Sequence, residues 1–216
     1  MTAGDPTLDE GWVARELADE YPDLRLVSTT APPPGARSSR ALRERLALLA
    51  DRFHGARALT IRREPVPAAY RAFFRHIGLD PDMERTPVEA AVLDRLVQGG
   101  FTSRGTLDDA LLIALVETGV PVWAIDDERL DGPLGLRTAR AGERLGEGEY
   151  APDLAPGRLV VADADDAVAV LFGDIAPSRR PGRDTARLRL FTVAVPGVPE
   201  LHIEEALLGC ADALSE

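Results

Sequence analysis

The residues best suited to chemistry lie in one turn, Gly99-Gly100-Phe101-Thr102-Ser103-Arg104-Gly105, which runs into Thr106-Leu107-Asp108-Asp109. Amides exposed beside a helix start suit an anion or a carboxylate-bearing ligand, because first-turn N–H groups lack an intrahelical acceptor and the dipole is positive there. Carboxylates recur downstream as Asp126-Asp127 and as Asp163 with Asp165-Asp166. At strand ends such groups either receive a ligand's ammonium or bond their own backbone in turns. A serine triad finds no support: G-x-S-x-G is absent, and Ser103 precedes Arg104-Gly105 instead of standing at a nucleophile elbow. Neither a P-loop nor a strand-linked G-x-G-x-x-G occurs. His54, His76 and His202 each lack a second ligand at metal-binding spacing, so no metal and no cofactor is expected.

The elements that must position this turn are two capped helices and a strand. Thr86-Pro87-Val88-Glu89 reads as a helix start, with Thr86 as N-cap, Pro87 at the first helical position and Glu89 completing a capping box. Thr106 repeats the logic with Asp109 in the N3 place, and each of Thr86→Ala and Asp109→Ala is expected to cost roughly 1 kcal/mol. The second helix is apolar on nearly every side and stops at Gly119. A strand, 120–125, then ends at Asp126. Elsewhere, 8–20 reads as helix, 24–30 as strand, 38–54 and 66–77 as helices, and 199–214 as a closing helix. Short strands are expected at 134–138, 158–163, 168–172 and 188–195. Helices in the first half and strands in the second predict an α+β fold, helices packed on mixed or antiparallel sheets. Residues 1–12 are expected to form a tail and 13–216 a single domain, since no linker forces a division.

Composition narrows the partners. The chain has 216 residues, enough for a real core, and carries 36 acids against 25 bases for a net charge of −11. Nucleic acid held through phosphates needs a basic face, so DNA is not expected, and tRNA would need a local patch. The densest basic run holds Arg179, Arg180, Arg183, Arg187 and Arg189, the expected tRNA contacts. One cysteine, Cys210, excludes an internal disulfide and suits a reducing compartment. No apolar run approaches the length of a membrane span and no leader pattern opens the chain, so a cytoplasmic location away from membranes is expected.

An ordered series of segments carries a resemblance. Arg85-Thr86-x-x-Glu89-Ala90 is followed by Leu107-x-Asp109-Ala110 and by Glu117-Thr118-Gly119-x-Pro121-x-x-Ala124-x-Asp126. Then come Asp131-Gly132, Leu136-Arg137 with Ala139, Gly142-Glu143, and Val160-x-x-Asp163. Together they resemble the B3/B4 domain of the phenylalanyl-tRNA synthetase β subunit and of free-standing proteins related to it, over roughly 13–195. The resemblance implies a B3/B4-like layered fold and an editing chemistry, in which the ester of a wrongly attached tyrosine is hydrolysed from tRNA in a second sieve. An aminoacyl ester is activated enough that a positioned water suffices without a nucleophile. The chain departs from the synthetase pattern at Arg104-Gly105 (there Thr-Asn), Leu112 (Asn), Trp123 (His) and Gly157-Arg158 (Gly-Glu).

Two functions are therefore expected. One is a free-standing hydrolase or binding domain for aminoacyl-tRNA. The other is a non-catalytic module of the same fold, holding a small amino-acid-like ligand or a protein. The expected substrate-binding residues are Ser103, Arg104, Gly105, Trp123, Asp126, Arg137 and Asp163. In that reading Arg104 holds a phosphate or carboxylate and Asp126 or Asp163 receives the α-ammonium group. A pocket closed by Leu112 and Trp123 would instead favour the binding module.

Overall fold

A computed structural model describes residues 7–52, 60–147, 151–164 and 166–216. It is α+β, with six helices and two four-stranded sheets among the described residues. The chain divides into two compact units: Met1–Pro33 with Trp123–Ala194, and Pro34–Val122 with Val195–Glu216.

Among the described residues, the strands all belong to the first unit. In one sheet the order is β1 (Asp9–Glu10), β3 (Arg25–Ala31), β8 (Leu188–Ala194), β4 (Trp123–Asp126), every pair antiparallel. In the other the order is β2 (Trp12–Val13), β5 (Gly135–Thr138), β6 (Leu159–Ala162), β7 (Ala167–Val170), with β2–β5 parallel and the rest antiparallel. Val160, Ala167, Ala139, Leu145, Leu154 and Ala176 make a small core against the second sheet.

The helix expected over 8–20 is corrected. Only α1 (Arg15–Glu20) is helical, while Asp9, Glu10 and Trp12, placed in the tail by the sequence, pair in sheets. The cause sits at Gly11, where the chain passes from one sheet to the other. Its amide donates to Leu26 O at 2.8 Å, and a Cβ there would come within 2.5 Å of Leu134 O. Trp12 then lies over Gly135, where a Cβ would fall 2.0 Å from the indole, and its Nε1 donates to Pro133 O at 2.9 Å. Ladder bonds and ring burial here outweigh the helical pattern of the side chains.

The second unit is helical: α2 (Arg40–Arg52), α3 (Pro65–His76), α4 (Pro87–Val97), α5 (Thr106–Thr118) and α6 (Glu200–Ser215). The expected end of α2 at Phe53 and His54 lies outside the described residues. α5 packs against α2, α4 and α6 and buries Ala110, Leu112, Ile113, Ala114 and Leu115, which explains its apolar circumference. Gly119 ends it at φ 77° with its amide on Leu115 O at 2.9 Å; a Cβ there would also press on Pro67 and Val66. Cys210 faces this interior on α6, and burial pushes its thiol up to about 12, which suits a small apolar filler and no nucleophile.

The capping box at α4 is present. Glu89 accepts from the Thr86 amide at 3.3 Å and from its hydroxyl at 2.7 Å, and also accepts from Arg71 Nη1 at 2.8 and 3.0 Å. Thr86→Ala should lower stability by about 1 kcal/mol in denaturant melts. An unchanged midpoint would show that Glu89 keeps the helix start ordered without the hydroxyl.

Candidate functional site

The expected ligand-binding residues divide between the units, Ser103, Arg104 and Gly105 in the helical one and Trp123, Asp126, Arg137 and Asp163 in the other. Each set is described in its own surroundings.

In the helical unit, α5 begins one residue earlier than the sequence suggests. Gly105 is the N-cap, at φ 133° and ψ 158°, and Thr106 is the first helical residue. Asp109 therefore stands one place beyond N3. Its carboxylate is fully buried and gathers the preceding turn. Oδ1 accepts from the Arg104 amide at 2.9 Å; Oδ2 accepts from the hydroxyls of Ser38, at 2.5 Å, and Ser103. From the other side Arg95, only 4% exposed, donates from Nη1 to Thr102 O at 2.5 Å. Burial and the neighbouring Arg104 lower the Arg95 pKa from its ordinary value. Thr102–Gly105 is thus clamped by a buried cation on one carbonyl and a buried anion on one amide.

That clamp leaves the first-turn amides of α5 (Thr106, Leu107, Asp108) without an acceptor among the described residues, and the buried Thr106 hydroxyl also lacks a partner there. Arg104 itself turns toward α4, with Nη1 3.0 Å from Asp94 Oδ2 and Nη2 on Gln98 Oε1. Its side chain remains one-third exposed, so these bonds are exchangeable at modest cost.

In the other unit, Trp123 stacks on Phe191 with centroids 5.7 Å apart and meets Phe172 at 6.0 Å. Phe172 has φ 58°, a left-handed backbone that costs a bulky residue of order 1–3 kcal/mol. Trp123 is half-buried, and its ring continues the apolar face of β8. Asp126 is 3% exposed, and its oxygens accept from the Thr185 hydroxyl at 2.8 Å and the Glu128 amide at 3.2 Å, with Arg129 Nε also 3.2 Å away. Asp163 is equally enclosed. It accepts from the amides of Asp131 and Asp166, each at 3.1 Å, and pairs with Arg179 at 3.2 Å. Both acids thereby hold turns together. Asp165, named with them from the sequence, lies outside the described residues. Arg137 forks onto Glu143, with Nη1 2.8 Å from Oε2 and Nη2 2.5 Å from Oε1.

The basic run is largely neutralised within its own unit. Arg179 pairs with Asp163 and Asp166, Arg187 with Asp127 at 2.5 Å, and Arg189 with Asp127 at 2.8 Å and Asp9 at 2.9 Å. Arg180 donates to Ile175 O at 3.1 Å. Dense arginines in sequence are here met by carboxylates from β1, from the turn after β4 and from the segment between β6 and β7. A second basic group escapes the sequence because its members are dispersed: Arg62, Arg71 and Arg85 line one cavity of the helical unit. Among the described residues no cluster of His, Cys, Asp and Glu could hold a metal, and no helix is long and apolar enough to cross a membrane.

No protein-family model matches the chain. Curated proteins similar to it are phenylalanine–tRNA ligase β subunits. That of Chromobacterium violaceum is 33% identical over 115 residues, 53% of this chain and 14% of the relative. That of Xanthomonas axonopodis pv. citri is 38% identical over 95 residues, 43% and 12% of the two chains, and that of Methylococcus capsulatus is 40% identical over 79 residues, 36% and 10%. The matched stretches thus cover 14% or less of these relatives' own length. About half of this α+β chain is similar to a portion of the phenylalanine–tRNA ligase β subunit.

Proposed function

We propose that the chain is a B3/B4-type domain that binds aminoacyl-tRNA and hydrolyses a mischarged aminoacyl ester, its two units acting together as one domain. The observation that carries this reading is the similarity to phenylalanine–tRNA ligase β subunits. The clamped turn supports it physically. In the reaction, water oxygen bonds to the ester carbonyl carbon, the carbonyl–ribose oxygen bond breaks, and the water's proton passes to the departing ribose oxygen. Negative charge develops meanwhile on the carbonyl oxygen. The first-turn amides of α5, held in place by Asp109 and Arg95 through the turn, are pre-oriented donors for it. Arg104 would exchange Asp94 and Gln98 for the ligand's phosphate or carboxylate.

A second reading, a non-catalytic module for a small amino-acid-like ligand or a protein, is favoured by one specific observation. Asp126, Asp163 and Arg137 already have their polar atoms engaged within the fold. Incubation with a panel of mischarged tRNAs separates the two. The first reading expects deacylation of at least one, and a loss of roughly tenfold or more in Arg104→Ala with the fold intact. No deacylation of any tRNA in the panel leaves the second reading alone.

A further inference from the structure

The helical unit contains a cavity of about 240 Å³, room for about eight waters, lined by Arg62, Arg71, Asp82, Arg85, Glu89 and Leu93 together with Pro81. Arg71 forms its floor and is preorganised. It is 8% exposed; Nη1 is held by Glu89 at 2.8 and 3.0 Å and by Pro81 O at 3.2 Å, and Nη2 meets Asp82 at 2.5 Å. Arg62 and Arg85 stand exposed at the rim; neither makes a direct hydrogen bond or ion pair among the described residues, and Arg62 lies near enough to Asp82 to act on its charge. On a chain of net charge −11, an opening lined by three arginines against two acids is an exception that suits an anion.

We propose that this cavity binds a phosphomonoester through Arg62, Arg71 and Arg85, with Asp82 as the group it displaces. Three converging forks suit a tetrahedral group with three terminal oxygens, whereas a carboxylate offers two. Charge points the same way. Asp82 is 62% exposed and holds Arg71 only through Nη2, while Glu89 is enclosed and also caps α4. When Asp82 swings out, three guanidiniums face one carboxylate, and the remaining double positive charge matches a phosphomonoester dianion. Arg71 and nearby Arg75 and Arg62 hold the Asp82 carboxyl below its usual range, so it is ionised and competes for the site at neutral pH. The site requires neither deacylation nor the turn before α5, so it stands or falls apart from the proposed function.

Calorimetric titration of the full chain with inorganic phosphate and with uridine 5′-monophosphate at low ionic strength tests it. One site is expected. Arg62→Ala and Arg85→Ala should each weaken binding about tenfold, and Asp82→Asn should strengthen it about threefold, the competing carboxylate having gone. Arg37→Ala, an exposed arginine that does not line the cavity, should change nothing. A short RNA with a 5′-phosphate distinguishes the source: tighter binding than the mononucleotide identifies an RNA end, equal binding a small phosphomonoester. No phosphate binding by the parent, unchanged affinity in both rim variants, or equal binding of 5′-hydroxyl RNA overturns the proposal.

Discussion

Asp109→Ala is expected to destabilise the chain by about 3–5 kcal/mol, several times the cost of losing an ordinary cap, because three donors would lose one buried acceptor together. The carboxylate is wholly enclosed and accepts from Ser38, Ser103 and the Arg104 amide. Ser38 comes from the segment before α2, 71 residues away in sequence, so this one side chain joins the entry to α2, the turn and the start of α5. Alanine leaves two hydroxyls and an amide to find water or go unpaired, and each unmet buried donor costs about 1–3 kcal/mol. Ser103→Ala removes one exposed hydroxyl, with its bond to Asp109 and its longer one to Ser38 at 3.2 Å, and leaves the carboxylate two other donors, so it should cost about 1 kcal/mol. Chemical denaturation of the two variants gives both numbers. A loss near 1 kcal/mol for Asp109→Ala would mean that water replaces the carboxylate, and that the turn is not clamped as described.

The gap between that figure and the single-cap expectation shows what local sequence conveys. Thr86-x-x-Glu89 is a contact within one turn of backbone, and its box is legible from spacing alone. At Thr106 the same spacing misleads by one residue. Gly105 takes φ 133°, a conformation open to glycine, so the helix starts there and Asp109 is free to reach backward. Nothing in the spacing shows Ser38 arriving from a distant segment. Gly11 is the same lesson in the strands: its role as a crossing between sheets depends on Leu134 O, which no local pattern reveals. The sequence locates β3, β8 and α6 to within a residue or two, since the two strands are buried almost throughout and α6 buries one face through Ile203, Ala206, Leu207 and Cys210. Charge was harder to read. Arginines close in sequence, Arg187 and Arg189, are quenched by one Asp127, whereas dispersed Arg62, Arg71 and Arg85 converge.

The pairing of Arg137 with Glu143 carries the other large expected effect. Their side chains are 9% and 12% exposed, and the carboxylate meets both guanidinium arms while Oε2 also accepts from the Arg140 amide at 2.7 Å. Arg137→Ala would leave an enclosed carboxylate with a single backbone donor, a loss of about 3–5 kcal/mol, the range for breaking one side of a buried pair. The Arg137 hydrogen bond, opposed by burial and helped by the Arg140 amide, holds the Glu143 carboxyl below its usual range. Glu143 therefore binds its proton more weakly folded than unfolded. Its stabilisation is complete above the unfolded value of about 4.3 and is lost as pH falls through the lower folded value. Stability measured from pH 7 to pH 2 should show this acid limb in the parent and a shallower one in both Arg137→Ala and Glu143→Gln. The same experiment bears on ligand binding: a fork this committed to Glu143 positions the 139–146 turn and is poorly placed to release toward a substrate. Parent-like stability and an unchanged acid limb in Arg137→Ala would show the opposite, a guanidinium whose worth lies outside the fold and is open to a ligand.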